Sequence, residues 1–206
     1  MRVWLRPWRS GLFAVAGLLA AMAIVGCQPQ TPLEVYGSTP TFNLTDQSGA
    51  AFSSRSLAGH VTLLDFVYTY CTDACPIMSA TFQEAQRKLA DDKLLGSKVM
   101  LVSLSVDPVH DTPPVLADYA QQFKADPSAW KMLTGDFDDV YDVVTGFKVA
   151  TRPPRPTADS PPPSGTEITH STAVVLIDPQ LQVRAYLDGV NMSADELISA
   201  ARRLVR

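Results

Sequence analysis

Two cysteines, Cys71 and Cys75, stand where a strongly apolar run ends and a helical pattern begins. The apolar run is Val61 to Val67, and Pro76 directly follows the second cysteine. A helix N-terminus offers unpaired backbone N–H groups and the positive end of the helix dipole, and both favour a thiolate. Because proline suits the first helical position, we expect Cys75 at or beside the helix cap, with the lower thiol pKa of the two. The pair therefore predicts thiolate chemistry, either metal binding or disulfide exchange.

The spacing of the pair, Cys-x₃-Cys, favours a bound metal over a structural disulfide. Positions four apart on a helix have Cβ atoms roughly 5–6 Å apart, whereas a relaxed disulfide needs about 3.8 Å. A disulfide here would also close a very small loop and would restrict the unfolded chain little. Two soft thiolates with one imidazole suit three-coordinate Cu(I). A looped backbone could still close a disulfide, so redox chemistry stays open.

A third ligand has to come from elsewhere, and the chain has three histidines. His60 precedes the apolar strand, at its far end from the thiols, which is typical of a surface turn residue. His110 follows the second apolar strand in a polar loop, where either a solvated residue or an accessory donor fits. His170 comes just before the apolar run Ala173–Ile177, and its position alone leaves a ligand and a loop residue equally open. Met78 could offer a thioether, but its helical position favours a core residue.

The apolar pattern along the chain predicts alternating strands and helices. We expect a hairpin over 41–46 and 51–54, strands over 61–67, 98–106 and 130–134, and helices over 76–91, 113–124 and 136–144. A brief strand over 147–150 precedes a Pro-rich exposed loop, residues 152–165. An antiparallel pair over 173–177 and 182–187 and a last helix opened by the capping box at Ser193–Glu196 complete the chain. Strands with crossover helices predict an α/β fold, a central mixed sheet flanked by helices.

The N-terminus reads as a targeting segment. Arg2, Arg6 and Arg9 precede an uncharged apolar run, which predicts a signal peptide over residues 1–26. The sequence before Cys27 resembles a bacterial lipobox, so cleavage would leave Cys27 as a lipidated N-terminus; an uncleaved anchor helix is the alternative. A polar tether, 27–40, then joins the lipid to one folded domain, 41–206. Both alternatives put the domain outside the cytoplasm.

The charge of the chain gives no sign of a nucleic-acid partner. Removal of residues 1–26 lowers Lys plus Arg from 17 to 14 against 21 acidic residues, which gives a net charge of −7. The basic residues that remain are scattered rather than gathered in a stripe.

Three segments in order make the chain resemble the Sco/SenC family of copper-binding, thioredoxin-like proteins. These are Phe66–Pro76, with the two cysteines, Val102–Pro113, and Thr169–Ser171 ahead of Asp178–Pro179. The resemblance runs from about Thr41 to the C-terminus and implies a thioredoxin-like fold. It also implies copper, as Cu(I) and/or Cu(II), bound by Cys71, Cys75 and His170. The family usually has proline where this chain has Thr72, and Glu-Arg where it has Val109 and His110; neither change removes a ligand.

Two functions fit the thiol pair, and the resemblance implies the acceptor of the first. The first is a lipid-anchored metallochaperone on the periplasmic side of the cell membrane, which delivers copper to the binuclear centre in subunit II of cytochrome c oxidase. The second is a thiol–disulfide oxidoreductase that keeps acceptor cysteines reduced, with Cys71 and Cys75 as its redox pair. A periplasmic thiol reductant or another copper chaperone would be a further partner. A peroxiredoxin-like peroxidase explains the paired thiols and His170 less well.

Several neighbouring side chains have less specific roles. Asp107 and Asp111 could tune proton transfer or guide a partner, although turn capping after a strand is the plainer interpretation. We expect the alternating aromatic residues Phe66, Tyr68 and Tyr70 to pack in the core and to shield the cysteine turn.

Overall fold

The strands and helices alternate along the chain as the apolar pattern predicts. The computed structural model describes Met1 and residues 33–149 and 171–205. The strands are β1 (Gly37–Ser38), β2 (Asn43–Asp46), β3 (Ala51–Ser53), β4 (Val61–Val67), β5 (Val99–Ser105), β6 (Trp130–Thr134), β7 (Ala173–Ile177) and β8 (Gln182–Asp188). The α-helices are α1 (Ala74–Asp91), α2 (Pro113–Gln122), α3 (Phe137–Gly146) and α4 (Ala194–Arg202), and Ser54–Leu57 forms a short 3₁₀ helix.

The eight strands of the described residues belong to one mixed sheet with the order β1-β8-β7-β4-β5-β6-β2-β3. The three central strands β4, β5 and β6 are parallel, and the other pairings are antiparallel. Every residue of β4 and β5 is buried, as expected for parallel strands covered on both faces. The sheet with its N-terminal hairpin, β2–β3, confirms the thioredoxin-like α/β fold.

Alternate residues of the strands build two apolar cores, one on each face of the sheet. One core joins β4 and β5 to α1, α2 and α4; its largest members include Leu63, Phe82, Leu101, Trp130 and Leu197. The other joins the opposite face to α3 and the hairpin; its members include Phe42, Phe66, Leu104, Val140 and Phe147. The helices therefore lie on both faces, and the strand ends stay open for the connecting loops.

Two predicted elements differ in the structure. The brief strand expected over 147–150 is absent from its described part, residues 147–149, because Phe147 caps α3 and Lys148 takes a left-handed φ of 59°. Helix α1 begins at Ala74 with Asp73 as its cap, so Pro76 is the third helical residue rather than the first. Cys75 is consequently inside the first turn and not at the cap.

The structure also adds a strand to the segment expected as a tether. Gly37 and Ser38 form β1 and pair with Val183 and Gln182 of β8. Apart from Met1, the predicted signal peptide lies outside the described residues, as do Cys27, the Pro-rich loop over 152–165 and His170. Within the residues that are described, no helix is long and apolar enough to cross a membrane.

Candidate metal centre

The two cysteines lie on the turn that joins the end of β4 to the start of α1. Cys71 is partly exposed and its N–H donates to Tyr68 O at 3.1 Å, whereas Cys75 is fully buried. No disulfide joins the two sulfurs, and each is present as a thiol. The turn therefore combines one sulfur that an incoming group can reach with one that the core protects.

Hydrogen bonds set the two thiols apart in acidity. Burial opposes ionisation of Cys71, but hydrogen bonds from the Cys75 thiol and from the Asp73 and Cys75 backbone outweigh it and lower the pKa of Cys71. The Cys75 N–H, in the first turn of α1, donates to Cys71 Sγ at 3.4 Å. Burial raises the pKa of Cys75, and its hydrogen bond to Cys71 adds to that rise. The helix end thus stabilises a thiolate on Cys71.

The prediction of a low pKa for Cys75 was therefore wrong, although its physical reason was right. The N–H groups of the first turn point back along the helix axis, toward the residues that precede the helix. Because α1 starts at Ala74 with Asp73 as its cap, Cys71 is among those residues and accepts from the Cys75 N–H, whereas the Cys75 side chain is buried in the core.

A buried carboxyl, Asp65, lies in β4 below this turn and was not singled out from the sequence. It is fully buried, and neither of its oxygens meets hydrogen-bond geometry with a described residue. Burial raises the pKa of Asp65 to about 7, although the hydroxyl of Ser103 on the paired strand favours the charged form. A negative charge on Asp65 would further raise the pKa of Cys75. The signal in the sequence was a lone acid inside an otherwise apolar run.

The loop after β5 is tied directly to the cysteine turn, as its position after a neighbouring parallel strand predicts. The Asp111 carboxylate accepts hydrogen bonds from Thr69 Oγ1 at 2.5 Å and from Ser105 Oγ at 2.6 Å. The Thr69 N–H donates to the same carboxylate at 3.3 Å. Asp111 is fully buried, and burial raises its pKa. Its role is to hold the backbone two residues before Cys71.

His110 is beside the cysteine turn, held by Asp107. Its Nδ1 is 2.8 Å from Asp107 Oδ2, and its ring meets the ring of Tyr70 edge to face at 6.3 Å between centroids. Asp107 is buried, so its carboxylate fixes the histidine rather than facing solvent. His60 precedes β4 at the opposite end of the sheet, as predicted for a turn residue.

The structure confirms some of the other predictions near the turn and contradicts one. Met78 is fully buried in the core of α1, as expected. Phe66 and Tyr68 are buried too, but Tyr70 is 49% exposed, so the prediction that it packs in the core was wrong. Tyr70 borders a groove of about 230 Å³ between the turn and α2, lined by Thr69, Tyr70, Val115, Asp118, Tyr119 and Gln122.

The predicted third ligand, His170, lies outside the described residues, but the chain that follows it is at the cysteine end of the sheet. Ser171 N–H donates to Val149 O at 3.0 Å, and Gly189 N–H donates to Thr172 O at 3.0 Å. A methyl group at Gly189 would lie 2.6 Å from Thr172 O and 2.8 Å from Met78 Cε. Because glycine has no side chain at position 189, this segment can pack closely on α1. In the described part of the chain no three His, Cys, Asp or Glu side chains form a metal-binding group.

The sheet order and the thiol pair at a strand-to-helix turn define a thioredoxin-like protein. The family can be stated more narrowly than this fold. The profile described as SCO1/SenC matches residues 31–206, so the chain belongs to the SCO1/SenC family. It is 30% identical over 192 residues to a SCO1 protein homolog of Bacillus subtilis, covering 92% of this chain and 93% of that one. It is 33% identical over 164 residues to the mitochondrial protein SCO2 of Saccharomyces cerevisiae, covering 78% of this chain but 51% of the yeast protein.

Solved structures agree with this assignment. A SCO1/SenC family lipoprotein from Bacillus anthracis superposes with a TM-score of 0.71 at 29% identity, covering 84% of this chain and 99% of that one. BsSco, described as a member of the Sco family of cytochrome c oxidase assembly proteins with a disulfide switch, gives 0.69 at 26% identity, with 84% and 98% covered. Copper-bound ScoI of Bradyrhizobium japonicum gives 0.63 at 28% identity, with 82% and 99% covered.

Proposed function

We propose that this protein binds one copper ion through Cys71, Cys75 and His170 and delivers it to the binuclear copper centre in subunit II of a cytochrome c oxidase. The observation that carries the proposal is the pair of hydrogen-bonded thiols on the turn after the central strand β4, one of them reachable from solvent. Copper-bound structures of similar proteins and the oxidase-assembly role in the description of BsSco support the choice of cargo and acceptor.

The register of the sheet supports His170 as the third ligand. Strand β7 runs antiparallel to β4, with Leu64 opposite Val175. The N-terminal end of β7, Ala173, follows His170 by three residues in sequence and therefore lies at the end of β4 that leads to the cysteine turn. The hydrogen bond from the Gly189 N–H to Thr172 O holds the chain two residues after His170 beside the end of β8.

The chemistry of the turn suits a carrier that takes up and releases its cargo. Two thiolates and an imidazole are soft donors that select Cu(I), and Cu(II) accepts the same set. Copper displaces the thiol protons, so the raised pKa of Cys75 makes binding weaker as the pH falls. Because Cys71 is partly exposed, an incoming thiolate of the acceptor can replace it without unfolding the domain.

Substitution of His170 tests the ligand set. Reduced protein with His170→Ala should lose high-affinity Cu(I) binding in competition with a chelator and should fail to mature the acceptor. His60→Ala, at the opposite end of β4, is the matched control and should bind copper as the parent does. X-ray absorption of the copper-loaded parent should show two sulfurs and one nitrogen. Equal chelator competition by the parent and the His170→Ala variant would refute this ligand set.

A thiol–disulfide oxidoreductase is a second candidate, favoured by the unequal acidity of the two thiols. A partly exposed thiolate beside a buried, protonated thiol is the arrangement in which one sulfur attacks a disulfide and the other resolves the mixed intermediate. In this second candidate function, Cys71 attacks and Cys75 resolves. If reduction of acceptor thiols is the whole function, His170→Ala should leave disulfide exchange and acceptor maturation intact.

The N-terminal segment completes the proposal. Removal of residues 1–26 and lipidation of Cys27 would hold the domain on the periplasmic side of the cell membrane, and the similar Bacillus anthracis protein is described as a lipoprotein. An anchor on the acceptor's own surface raises the effective concentration of the donor without any new contact. Mass spectrometry of the mature N-terminus tests this: an unmodified Met1 or Cys27 would refute it.

A further inference from the structure

Three of the large hydrophobic side chains that the described residues expose belong to the sheet edge where the tether enters the domain: Tyr36 and Tyr186, which are in contact, and Val35, the neighbour of Tyr36 in sequence. Val35 is 58% exposed, Tyr36 56% and Tyr186 41%. The rings of Tyr36 and Tyr186 meet edge to face with centroids 5.8 Å apart. Beyond Met1, the remaining members of this exposed group are Tyr70 and Ile77, which flank the cysteine turn. Val35, Tyr36 and Tyr186, here called the edge patch, are not part of the proposed copper site. Their exposure therefore needs a separate explanation.

The patch belongs to a firmly held part of the chain. Tyr36 N–H donates to Val183 O at 2.9 Å, and β1 continues this pairing with β8. Arg184 donates from Nε to Glu34 O at 2.9 Å and from Nη2 to Leu33 O. The Tyr186 hydroxyl donates to Phe147 O at 3.0 Å, so its ring is fixed at the surface. These bonds define the point at which the tether leaves the domain.

Chain length limits which surface of an anchored domain can meet the membrane. From Cys27 to Leu33 the chain advances six residues, which span about 20 Å when fully extended. A compact domain of this length has a radius of gyration of about 16 Å and is roughly 40 Å across. A lipid on Cys27 therefore keeps the β1 edge near the bilayer and keeps the opposite edge, at β3, away from it.

We propose that Val35, Tyr36 and Tyr186 form a membrane-contact face on which the anchored domain rests against the lipid surface. The inference rests on the proposed lipidation of Cys27. Tyrosine suits the membrane interface because its ring is apolar and its hydroxyl is polar. Membrane binding strengthens with the apolar area buried at the headgroup boundary, so an apolar contact adds to the hold of the lipid anchor. The face fixes the orientation of the domain, and with it the direction in which the cysteine turn faces its acceptor.

Tryptophan fluorescence in vesicles tests the face. Lipidated protein is reconstituted in phosphatidylcholine–phosphatidylglycerol vesicles with and without brominated acyl chains, and the reporter is Tyr36→Trp. The control reporter is Ile77→Trp, on α1 at a similar exposure of 46%. Trp130, which remains after residues 1–26 are removed, is fully buried and gives the same background in both proteins. The Tyr36→Trp emission should shift to the blue and be quenched by brominated lipid, and the Ile77→Trp emission should do neither.

A second substitution separates the aromatic pair from mere closeness to the anchor. Adding Tyr186→Ser to the Tyr36→Trp protein should cause loss of most of the blue shift and quenching. Mass spectrometry first confirms the lipid on Cys27. In that lipidated protein, any of three results would overturn the membrane face: equal quenching of the two reporters, no quenching of either, or quenching that Tyr186→Ser leaves unchanged. An unlipidated Cys27 would instead overturn the anchor itself, so the two failures are distinguishable.

Discussion

Replacement of the buried carboxyl Asp65 with asparagine should change how the stability of the domain depends on pH. Asparagine keeps the shape of the side chain and removes its charge. The pKa of Asp65 is about 7 in the folded protein against an ordinary value of 3.8, because burial penalises the charged form. Between these values the folded state holds a proton that the unfolded chain has lost. The free energy of unfolding of the parent therefore falls as the pH rises through this window.

The size of the effect follows from the two pKa values. Three pKa units correspond to about 4 kcal/mol over the whole window, and roughly half to two thirds of this falls between pH 5 and pH 8. Relative to the parent, Asp65→Asn should gain about 2 to 3 kcal/mol of stability on going from pH 5 to pH 8. With a urea dependence of about 2 kcal/mol/M, that is a relative shift of roughly 1 M in the unfolding midpoint.

Urea unfolding of reduced, copper-free protein at pH 5 and pH 8, followed by circular dichroism, measures this shift. Asp91→Asn, a substitution on the exposed side of α1, controls for the loss of one negative charge. The control should differ from the parent by nearly the same amount at both pH values. If Asp65→Asn also differs from the parent equally at pH 5 and pH 8, Asp65 does not ionise in this range and the electrostatic reasoning for β4 fails.

Three further outcomes follow from the same structure. Brief iodoacetamide treatment of reduced protein at pH 7 should label Cys71 at least about tenfold faster than Cys75, since the thiolate is the reactive form; peptide mass spectrometry showing Cys75 labelled first would contradict the assignment. Asp111→Ala, which removes the acceptor of the Thr69 and Ser105 hydrogen bonds, should lower the free energy of unfolding by about 2 kcal/mol, and an unchanged urea midpoint would exclude that tie. Ser193→Ala should lower the free energy of unfolding by about 1 kcal/mol because it removes the side-chain cap of α4. Ser193→Thr, measured by the same urea unfolding, should retain most of that stability.

The fold was predictable because its elements carry strong local signals. The strands β4 and β5 are continuous apolar runs, and the capping box at the start of α4 is formed by both of its predicted bonds, with Ser193 Oγ accepting from Glu196 N–H and Ser193 N–H donating to the Glu196 carboxylate. The short elements were not predictable in this way. A two-residue strand such as β1 has no period to recognise, and the four residues 147–150, three of them apolar, fit a strand and a helix end equally well.

The thiol pair, its position between a strand and a helix, and the nearby loop with Asp107 and Asp111 were all evident from residue types and their order. The residue at which α1 begins decides which sulfur ionises more easily. Moving the start of the helix by one residue would change which group the N–H groups of the first turn face. The raised pKa of Asp65 likewise results from burial of its side chain in the folded protein. No local sequence pattern indicates that burial.

Residue types and spacing alone thus determined the class of chemistry, because paired thiols four positions apart are soft donors wherever the chain carries them. Tertiary structure decided how unequal those donors are. It also gathered Val35, Tyr36 and Tyr186 at one edge from positions about 150 residues apart in sequence. Proximity and burial set pKa values and exposed surfaces, and both arise only when distant segments pack together.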